Sequence, residues 1–177
     1  RITGTIPASL GNLSKLTFLQ LYNSRLSGSL PLELWELSKL QYLSLSNTSI
    51  SGYLPVSMAK MQSLRTLHLK GCRLSGSLPH GLLGNLSALE ELDLTETNIN
   101  GTLPADIGDM HSLRTLELSR TQISGILVPE LGRLRGLATL DLATTHISGT
   151  LTSELGGMAS LQTLGLAQTR ISGTLNP

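Results

Sequence analysis

The sequence is poor in the residues on which many protein classes depend. It has one cysteine, so no disulfide can form within it, and only five of its 177 residues are aromatic. Lys and Arg number 13 against 12 Asp and Glu, a balance that argues against a nucleic-acid binder, which needs a basic surface. No apolar run approaches the roughly 20 residues that span a bilayer, and no signal-peptide pattern opens the sequence. By length it is one domain, and 41 of its residues are leucine.

The leucines belong to a repeat of 24 residues with a single step of 25. The first apolar position of the unit falls at Leu13, Leu37, Met61, Leu86, Met110, Leu134 and Met158. The extra residue lies within residues 79–85. The single predicted domain, 1–177, therefore divides into a partial repeat 1–12, full repeats 13–36, 37–60, 61–85, 86–109, 110–133 and 134–157, and a truncated repeat 158–177. Because both ends fall inside a repeat, we expect further repeats or assembly subunits at either end.

The pattern within one repeat predicts a short strand followed by a return segment. Apolar residues alternate around Leu19-Gln20-Leu21, which indicates a strand with one buried face. One copy cannot bury its leucines alone, so successive copies must stack with their strands parallel. The Ser-Gly pairs that follow, such as Ser27-Gly28, are predicted to mark a chain reversal. The prolines that come next should keep the return segment extended or turn-like, and Trp35 and Tyr53 in these segments should pack.

Residues 2–19 match the consensus L-x-G-x-I-P-x-x-L-G-x-L-x-x-L-x-x-L, and seven copies of this unit follow one another in register. The chain thus resembles the leucine-rich repeat proteins of the plant type. The resemblance implies an α/β-type repeat solenoid, a curved right-handed superhelix with a parallel sheet on its concave face. Members of this group are mostly binding modules: receptor-kinase ectodomains, receptor-like proteins and inhibitors of cell-wall-degrading enzymes.

The chain departs from the family pattern in two columns. Where the family usually has an asparagine that bridges successive repeats, this chain has Ser24, Thr48, Cys72, Thr97, Thr121, Thr145 and Thr169. A hydroxyl has only one donor proton, so we expect a sparser ladder of hydrogen bonds between repeats. In the late repeats Val128, Thr152 and Asn176 replace the usual proline.

The exposed face of the predicted sheet contains the candidate contact residues. Three side-chain columns should point outward from it, because alternate residues of a strand face opposite ways. The residues predicted to contact a protein or peptide are Phe18, Tyr22, Tyr42, His68, Lys70, Glu91, Asp93, Glu117 and Asp141. Phe18, Tyr22 and Tyr42 form an aromatic patch, and Asp93, Glu117 and Asp141 form an acidic stripe that would attract a basic group. The alternative is that the stripe is simply a solvated face.

The residues do not indicate catalysis, and we expect no cofactor and no dedicated metal site. Cys72 lies four residues from His68, but Cys72 should point inward as a small inert side chain while His68 points outward. A straight row of carboxylates offers two or three ligands at best, fewer than the six to eight oxygens that Ca²⁺ prefers. The four histidines occupy separate places, so no zinc site is expected.

Four N-x-[ST] sequons bear on where the chain works: Asn12, Asn47, Asn85 and Asn100. Together with the family resemblance, they favour a secreted or cell-surface protein over an intracellular scaffold. The functional hypothesis is a non-catalytic module that recognises a protein or peptide, with no nucleic-acid partner and no membrane span in this segment. A structural subunit held in an assembly through its ends is the alternative, and inhibition of a secreted hydrolase rests on family analogy alone.

Overall fold

Each repeat folds as two short strands and one short 3₁₀ helix. The computed structural model describes residues 2–173. The predicted strands form a seven-stranded first sheet with the bounds Phe18–Gln20, Tyr42–Ser44, Thr66–His68, Glu91–Asp93, Thr115–Glu117, Thr139–Asp141 and Thr163–Gly165. All neighbours in this sheet pair in parallel. The predicted solenoid is confirmed, and its concave parallel sheet is this first sheet.

A second sheet and a row of 3₁₀ helices complete the repeats. The second sheet has eight parallel strands, Thr3–Gly4, Arg25–Ser29, Ser49–Gly52, Arg73–Ser77, Asn98–Thr102, Gln122–Ile126, His146–Gly149 and Arg170–Ile171. The 3₁₀ helices cover Ala8–Asn12, Leu32–Glu36, Val56–Lys60, Leu83–Asn85, Ala105–Asp109, Pro129–Arg133 and Ser153–Gly157. The first strand, the second strand and the helix follow one another in each repeat, and each element stacks on its counterparts in the neighbouring repeats.

The repeating leucines form one continuous core. In the first sheet Leu43, Leu67 and Leu92 are in register, and each is at most 1% exposed. The same core takes in the leucine or methionine that opens most repeats, such as Leu37 and Met61. No single repeat encloses these side chains, so the stacking of neighbours supplies their burial, as predicted.

The prediction for the Ser-Gly pairs was wrong, because these residues lie inside strands of the second sheet and not at a chain reversal. Gly125, for example, lies within Gln122–Ile126 and has a φ of +86°. A Cβ atom there would lie 2.8 Å from Cγ2 of Thr102 in the preceding repeat. Position 125 therefore requires glycine for two reasons: the backbone has a positive φ, and the strand of the preceding repeat approaches closely. Such a glycine interrupts the alternation of buried and exposed residues in the second sheet, so a search of the sequence for alternation does not detect these strands.

Four prolines lie directly before a 3₁₀ helix: Pro7, Pro31, Pro55 and Pro104. Pro31, with φ −67° and ψ 145°, is the extended residue directly before Leu32–Glu36, as expected for a residue whose ring fixes φ. Val128 and Thr152 replace proline without changing this extended conformation. Asn176 lies outside the described residues.

The two aromatic residues of the return segments have different environments. Trp35 is 1% exposed and packs within the core, as predicted. Tyr53 is 64% exposed, so the prediction that it packs was wrong. Tyr53 directly follows the second-sheet strand Ser49–Gly52, where alternate residues face solvent.

Candidate functional site

The predicted contact residues lie on the exposed face of the first sheet or directly after its strands. Strand pairing places Phe18 beside Tyr42, and it places His68 beside Asp93. Lys70 and Tyr22 come two residues after their strands, where the chain turns. The face therefore has an aromatic end near the N-terminus, a mixed middle and an acidic part beyond it.

The aromatic end is a stacked pair extended by a histidine. The rings of Phe18 and Tyr42 are nearly parallel, with centroids 4.9 Å apart. The imidazole of His68 meets the Tyr42 ring edge-on, at 5.8 Å. Tyr22 is half exposed and takes part in neither ring contact. We call Phe18, Tyr42 and His68 the aromatic shelf, and Phe18, at 57% exposure, leaves much of its surface free for a partner.

The middle of the face and the adjoining edge of the sheet each contain a pair of bonded side chains. Nε2 of His68 lies 3.1 Å from Oε2 of Glu91. Arg65 donates a hydrogen bond to Glu90 in the next repeat. Glu91 is therefore engaged with the aromatic shelf.

The acidic stripe consists of carboxylates on three adjacent strands. Asp93, Glu117 and Asp141 are in register, with Glu117 in the centre. The two aspartates are held in place, because Oδ1 of Asp93 accepts a bond from the Thr95 N–H at 2.9 Å and Oδ1 of Asp141 accepts one from the Ala143 N–H at 3.0 Å.

This arrangement disfavours the charged form of Glu117. Burial raises the pKa of its carboxyl, and the charges of Asp93 and Asp141 raise it further, while Lys70 and His68 act in the opposite direction. The stripe thus holds like charges side by side on a rigid sheet, an arrangement that is destabilising in the absence of a cation.

The stripe ends at Gly165, the counterpart of Asp141 on the next strand. A Cβ atom at this glycine would collide with Oδ1 of Asp141. The glycine therefore gives the last carboxylate room to lie across the sheet.

The inward column contains hydroxyls that bond within their own repeats. Thr97, Thr121 and Thr145 are buried, and each Oγ1 donates at 2.7 Å to the carbonyl three residues earlier. Ser24, Thr48 and Thr169 make the same bond.

Cys72 is the exception in this column, because it links two repeats. Its Sγ donates to the Leu45 carbonyl at 3.2 Å and lies 3.4 Å from Oγ1 of Thr48. The thiol is buried, as predicted, and burial raises its pKa. A buried thiol with a raised pKa is mostly protonated, so little of the reactive thiolate is present.

All four sequon asparagines are exposed, but their settings differ. Nδ2 of Asn47 donates to Oδ1 of Asn23 at 3.0 Å, and Nδ2 of Asn85 donates to the Gly81 carbonyl at 2.6 Å. Asn100 lies within a strand of the second sheet, whereas Asn12 ends a 3₁₀ helix. Asn12 and Asn85 occupy equivalent positions in their repeats and remain the candidates for modification.

The sequence reasoning missed a serine ladder on the second sheet. The serine of each Ser-Gly pair donates to the carbonyl of the glycine one repeat earlier; Ser124 to Gly101 and Ser148 to Gly125, both at 3.1 Å, are the shortest of these bonds. Longer bonds of 3.4–3.5 Å come from Ser27, Ser51, Ser75 and Ser172. The recurrence of the Ser-Gly pair in successive repeats was the sequence feature from which this bond between repeats could have been predicted.

Asp106 was also missed, because its role depends on the irregular segment 79–85 of the preceding repeat. Oδ2 of Asp106 accepts hydrogen bonds from the backbone N–H groups of Gly81 at 3.1 Å and Gly84 at 3.2 Å. The helix of that repeat is shortened to Leu83–Asn85, so these two donors lack the usual helical partners.

Two classes of feature are not found in residues 2–173. No helix there is both long enough and apolar enough to cross a membrane. Nor do three or more His, Cys, Asp or Glu side chains in this range converge on a point where an ion could bind.

Comparisons with known proteins agree with this architecture. A family model described as "Leucine-rich repeat region" matches residues 5–100 and 56–175. No curated protein matches the chain.

Solved structures give closer comparisons. The ectodomain of the Arabidopsis thaliana receptor kinase GASSHO1/SCHENGEN3, in complex with CASPARIAN STRIP INTEGRITY FACTOR 2, is 35% identical with a TM-score of 0.94, over 98% of this chain and 21% of that one. The Arabidopsis receptor kinase HAESA, in complex with the peptide hormone IDA and the co-receptor SERK1, is 32% identical with a TM-score of 0.92, over 96% of this chain and 28% of that one. A leucine-rich repeat protein of Leptospira interrogans is 26% identical with a TM-score of 0.80, over 97% and 42%. The chain thus spans between a fifth and a third of the length of the two Arabidopsis receptor chains.

Proposed function

Since the chain belongs to the leucine-rich repeat family, we propose that it is a non-catalytic module that recognises a peptide or protein segment through the exposed face of the first sheet. The observation that carries the proposal is the acidic stripe. Glu117 is held between two fixed aspartates although this raises its pKa, and a bound cation would relieve the repulsion. A face with no ligand would gain stability by losing one of these charges.

Similarity to known receptors supports the same proposal. HAESA is solved in complex with a peptide hormone and GASSHO1/SCHENGEN3 in complex with CASPARIAN STRIP INTEGRITY FACTOR 2, and the fold of this chain matches both over nearly its whole length. These relatives favour ligand recognition over a scaffold role. Because both are receptor ectodomains, we also propose that this chain works on the extracellular side of a membrane, as part of a receptor or receptor-like protein.

The geometry suggests how a ligand would lie. The aromatic shelf offers an apolar surface at Phe18 and Tyr42. The acidic stripe, centred on Glu117, offers a site for a lysine or arginine side chain of the ligand. The strands of Tyr42 and Glu117 are three steps apart in the sheet, a distance of about 14 Å at roughly 4.8 Å per strand. An extended peptide covers this distance in about four residues at roughly 3.3 Å each. The preferred ligand should therefore carry an aromatic or proline residue about four positions from a lysine or arginine.

The test is selection of linear peptides from a display library on the immobilised chain. We expect enrichment of peptides with this spacing, and we expect Asp93→Asn/Glu117→Gln/Asp141→Asn to weaken their binding and flatten its salt dependence. The matched control is Glu33→Gln/Glu130→Gln/Glu154→Gln, which removes three carboxylates from the 3₁₀ helices and should leave binding intact. Selected peptides without a cation, or equal binding by both variants, would refute the proposal.

A further inference from the structure

The small net charge of the chain conceals a segregation of charge around the solenoid. The 3₁₀ helices carry six carboxylates and two cations: Glu33, Glu36, Asp106, Asp109, Glu130 and Glu154, with Lys60 and Arg133. The exposed face of the first sheet is also acidic, with Glu91 and the stripe against Lys70. Since the formal net charge is only +1, the compensating cations must lie elsewhere on the surface.

Many of these cations lie along the edge where the strands of the first sheet begin. We call this the leading edge and define it, in each repeat, by the two residues of the turn after the 3₁₀ helix and the residue directly before the strand. It comprises residues 14, 15, 17, 38, 39, 41, 62, 63, 65, 87, 88, 90, 111, 112, 114, 135, 136, 138, 159, 160 and 162. Its charged residues are Lys15, Lys39, Arg65, Arg114, Arg135 and one carboxylate, Glu90. Parallel strands are about 4.8 Å apart, so Lys15 and Arg135, five repeats apart, lie roughly 24 Å from each other.

Four of these cations are free to meet a partner. Arg65 pairs with Glu90, so the one carboxylate of the edge is neutralised within it. Lys15, Lys39, Arg114 and Arg135 are exposed, and the ion pairs found among residues 2–173 include none of them. A row of unpaired cations of this length is matched to a polyanion rather than to a single anion.

The edge also contains a depression beside one of the free cations. It has a volume of about 280 Å³ and is lined by Glu90, His111, Ser112, Arg114 and Gly136. Gly136 contributes no side chain, and a Cβ atom there would meet no atom closer than 3.9 Å, so the depression is open at this point. A guanidinium, an imidazole and a hydroxyl around a space of this size can hold one ring that carries both a carboxylate and hydroxyls.

We propose that the leading edge binds an anionic polysaccharide, one with carboxylates on successive sugar rings. Apart from the charged residues, the edge consists mainly of hydroxyl and amide side chains such as Ser14, Ser38 and Gln41, which suit a partner covered in hydroxyls. It has no Phe, Tyr or Trp on which a nucleic-acid base could stack, and no exposed large apolar residue to anchor a protein. The site is separate from the face proposed to bind peptides, and the two proposals can fail independently.

The experiment measures binding of a fluorescent oligogalacturonate to the chain at low salt, by anisotropy. The edge variant Lys39→Gln/Arg114→Gln/Arg135→Gln should bind about tenfold more weakly, since three exposed ion pairs of roughly 0.5 kcal/mol each are lost. The matched control Arg25→Gln/Arg73→Gln/Arg170→Gln removes the same charge from exposed positions of the second sheet and should retain its affinity. Circular dichroism confirms that both variants are folded.

Three results would overturn the proposal. One is absence of binding by the wild-type chain, and another is equal weakening in both variants, which would indicate attraction by overall charge. The third is equally tight binding of polyglutamate or single-stranded DNA, which would exclude selection for a sugar polymer. Peptide binding by the edge variant reports on the first sheet separately and should be unchanged.

Discussion

The closest approach between repeats occurs where the 3₁₀ helices stack, and one glycine there makes a sharp prediction. Gly108 lies in the helix Ala105–Asp109 and is buried against the helix of the next repeat. A Cβ atom at Gly108 would lie 2.7 Å from the Glu130 carbonyl oxygen and 2.8 Å from the Glu130 Cβ, whereas ordinary contacts begin at 3.4 Å. Gly108→Ala therefore requires the two repeats to separate by several tenths of an ångström.

The cost follows from what has to move. The obstructing atoms are backbone atoms and the Cβ of Glu130, none of which a side-chain rotation can move, and overpacking of this kind costs about 1–3 kcal/mol. Alanine returns up to about 1 kcal/mol through its higher helix propensity. We expect a net loss near 1–2 kcal/mol, which for a chain of this size corresponds to a fall in Tm of about 2–8 °C.

Gly156 provides the matched control, because it occupies the same position 48 residues later. Among residues 2–173, no atom lies within 4 Å of the place that its Cβ would occupy. Gly156→Ala should therefore leave Tm unchanged or raise it, since alanine restricts the unfolded chain by about 0.4–1 kcal/mol. Thermal melts followed by circular dichroism compare the two variants. Equal changes in Tm would refute the argument that stacking between repeats, rather than local conformation, requires glycine at position 108.

Three further predictions concern other contacts. Thr121→Val should cost about 1 kcal/mol, because it removes a buried hydroxyl bond to the Leu118 carbonyl. Urea unfolding against the control Thr115→Val, at a half-buried threonine of the first sheet, tests this, and equal curves would contradict it. Asp106→Ala should cost about 1–3 kcal/mol and speed amide exchange in residues 79–85, since two backbone donors lose their acceptor; unchanged protection there would be inconsistent with that role. Glu117 has a raised pKa, so its contribution to stability is fully present below its ordinary pKa of 4.5 and is lost as pH rises through the folded value. Glu117→Gln should thus match the wild type in acid and become the more stable protein as pH rises towards 7, and a difference independent of pH would count against the stripe's repulsion.

The first sheet could be predicted from the sequence because its signal is local. Leu19, Leu43 and Leu67 alternate with residues on the outer face of the sheet, and the period of the repeat then determines strand direction and register. The second sheet could not be predicted in this way. A strand such as Arg25–Ser29 contains one buried apolar residue and a glycine with φ of +81°, so it has little strand character of its own. Backbone pairing with its neighbours, which exists only after stacking, makes it a strand.

The candidate site shows the same division between what is local and what depends on contacts. The columns follow from the repeat, so the membership of the acidic stripe was predictable. The partners of individual side chains were not: Glu91 bonds to His68, and Tyr22 lies away from the aromatic shelf because the chain turns before it. Reach and rotamer decide such contacts, and spacing in the sequence specifies neither.

Stacking places equivalent residues of successive repeats side by side. The signs of neighbouring charges can therefore be compared from one column of the repeat to another. Neighbouring charges of opposite sign form an ion pair in four columns: Lys60 with Glu36, Arg65 with Glu90, Arg120 with Glu96 and Arg133 with Asp109. Three places break this pattern. The acidic stripe has three carboxylates in succession, the 3₁₀ helices have three in Asp106, Glu130 and Glu154, and on the leading edge Lys15 is followed by Lys39. Like charges at this spacing are unfavourable for the fold. The helix column, where no partner is proposed, shows that a run of like charges is not sufficient evidence of binding. The stripe differs because Glu117 is partly buried between two aspartates that are fixed by backbone hydrogen bonds, and this difference supports binding of a cationic partner at the stripe.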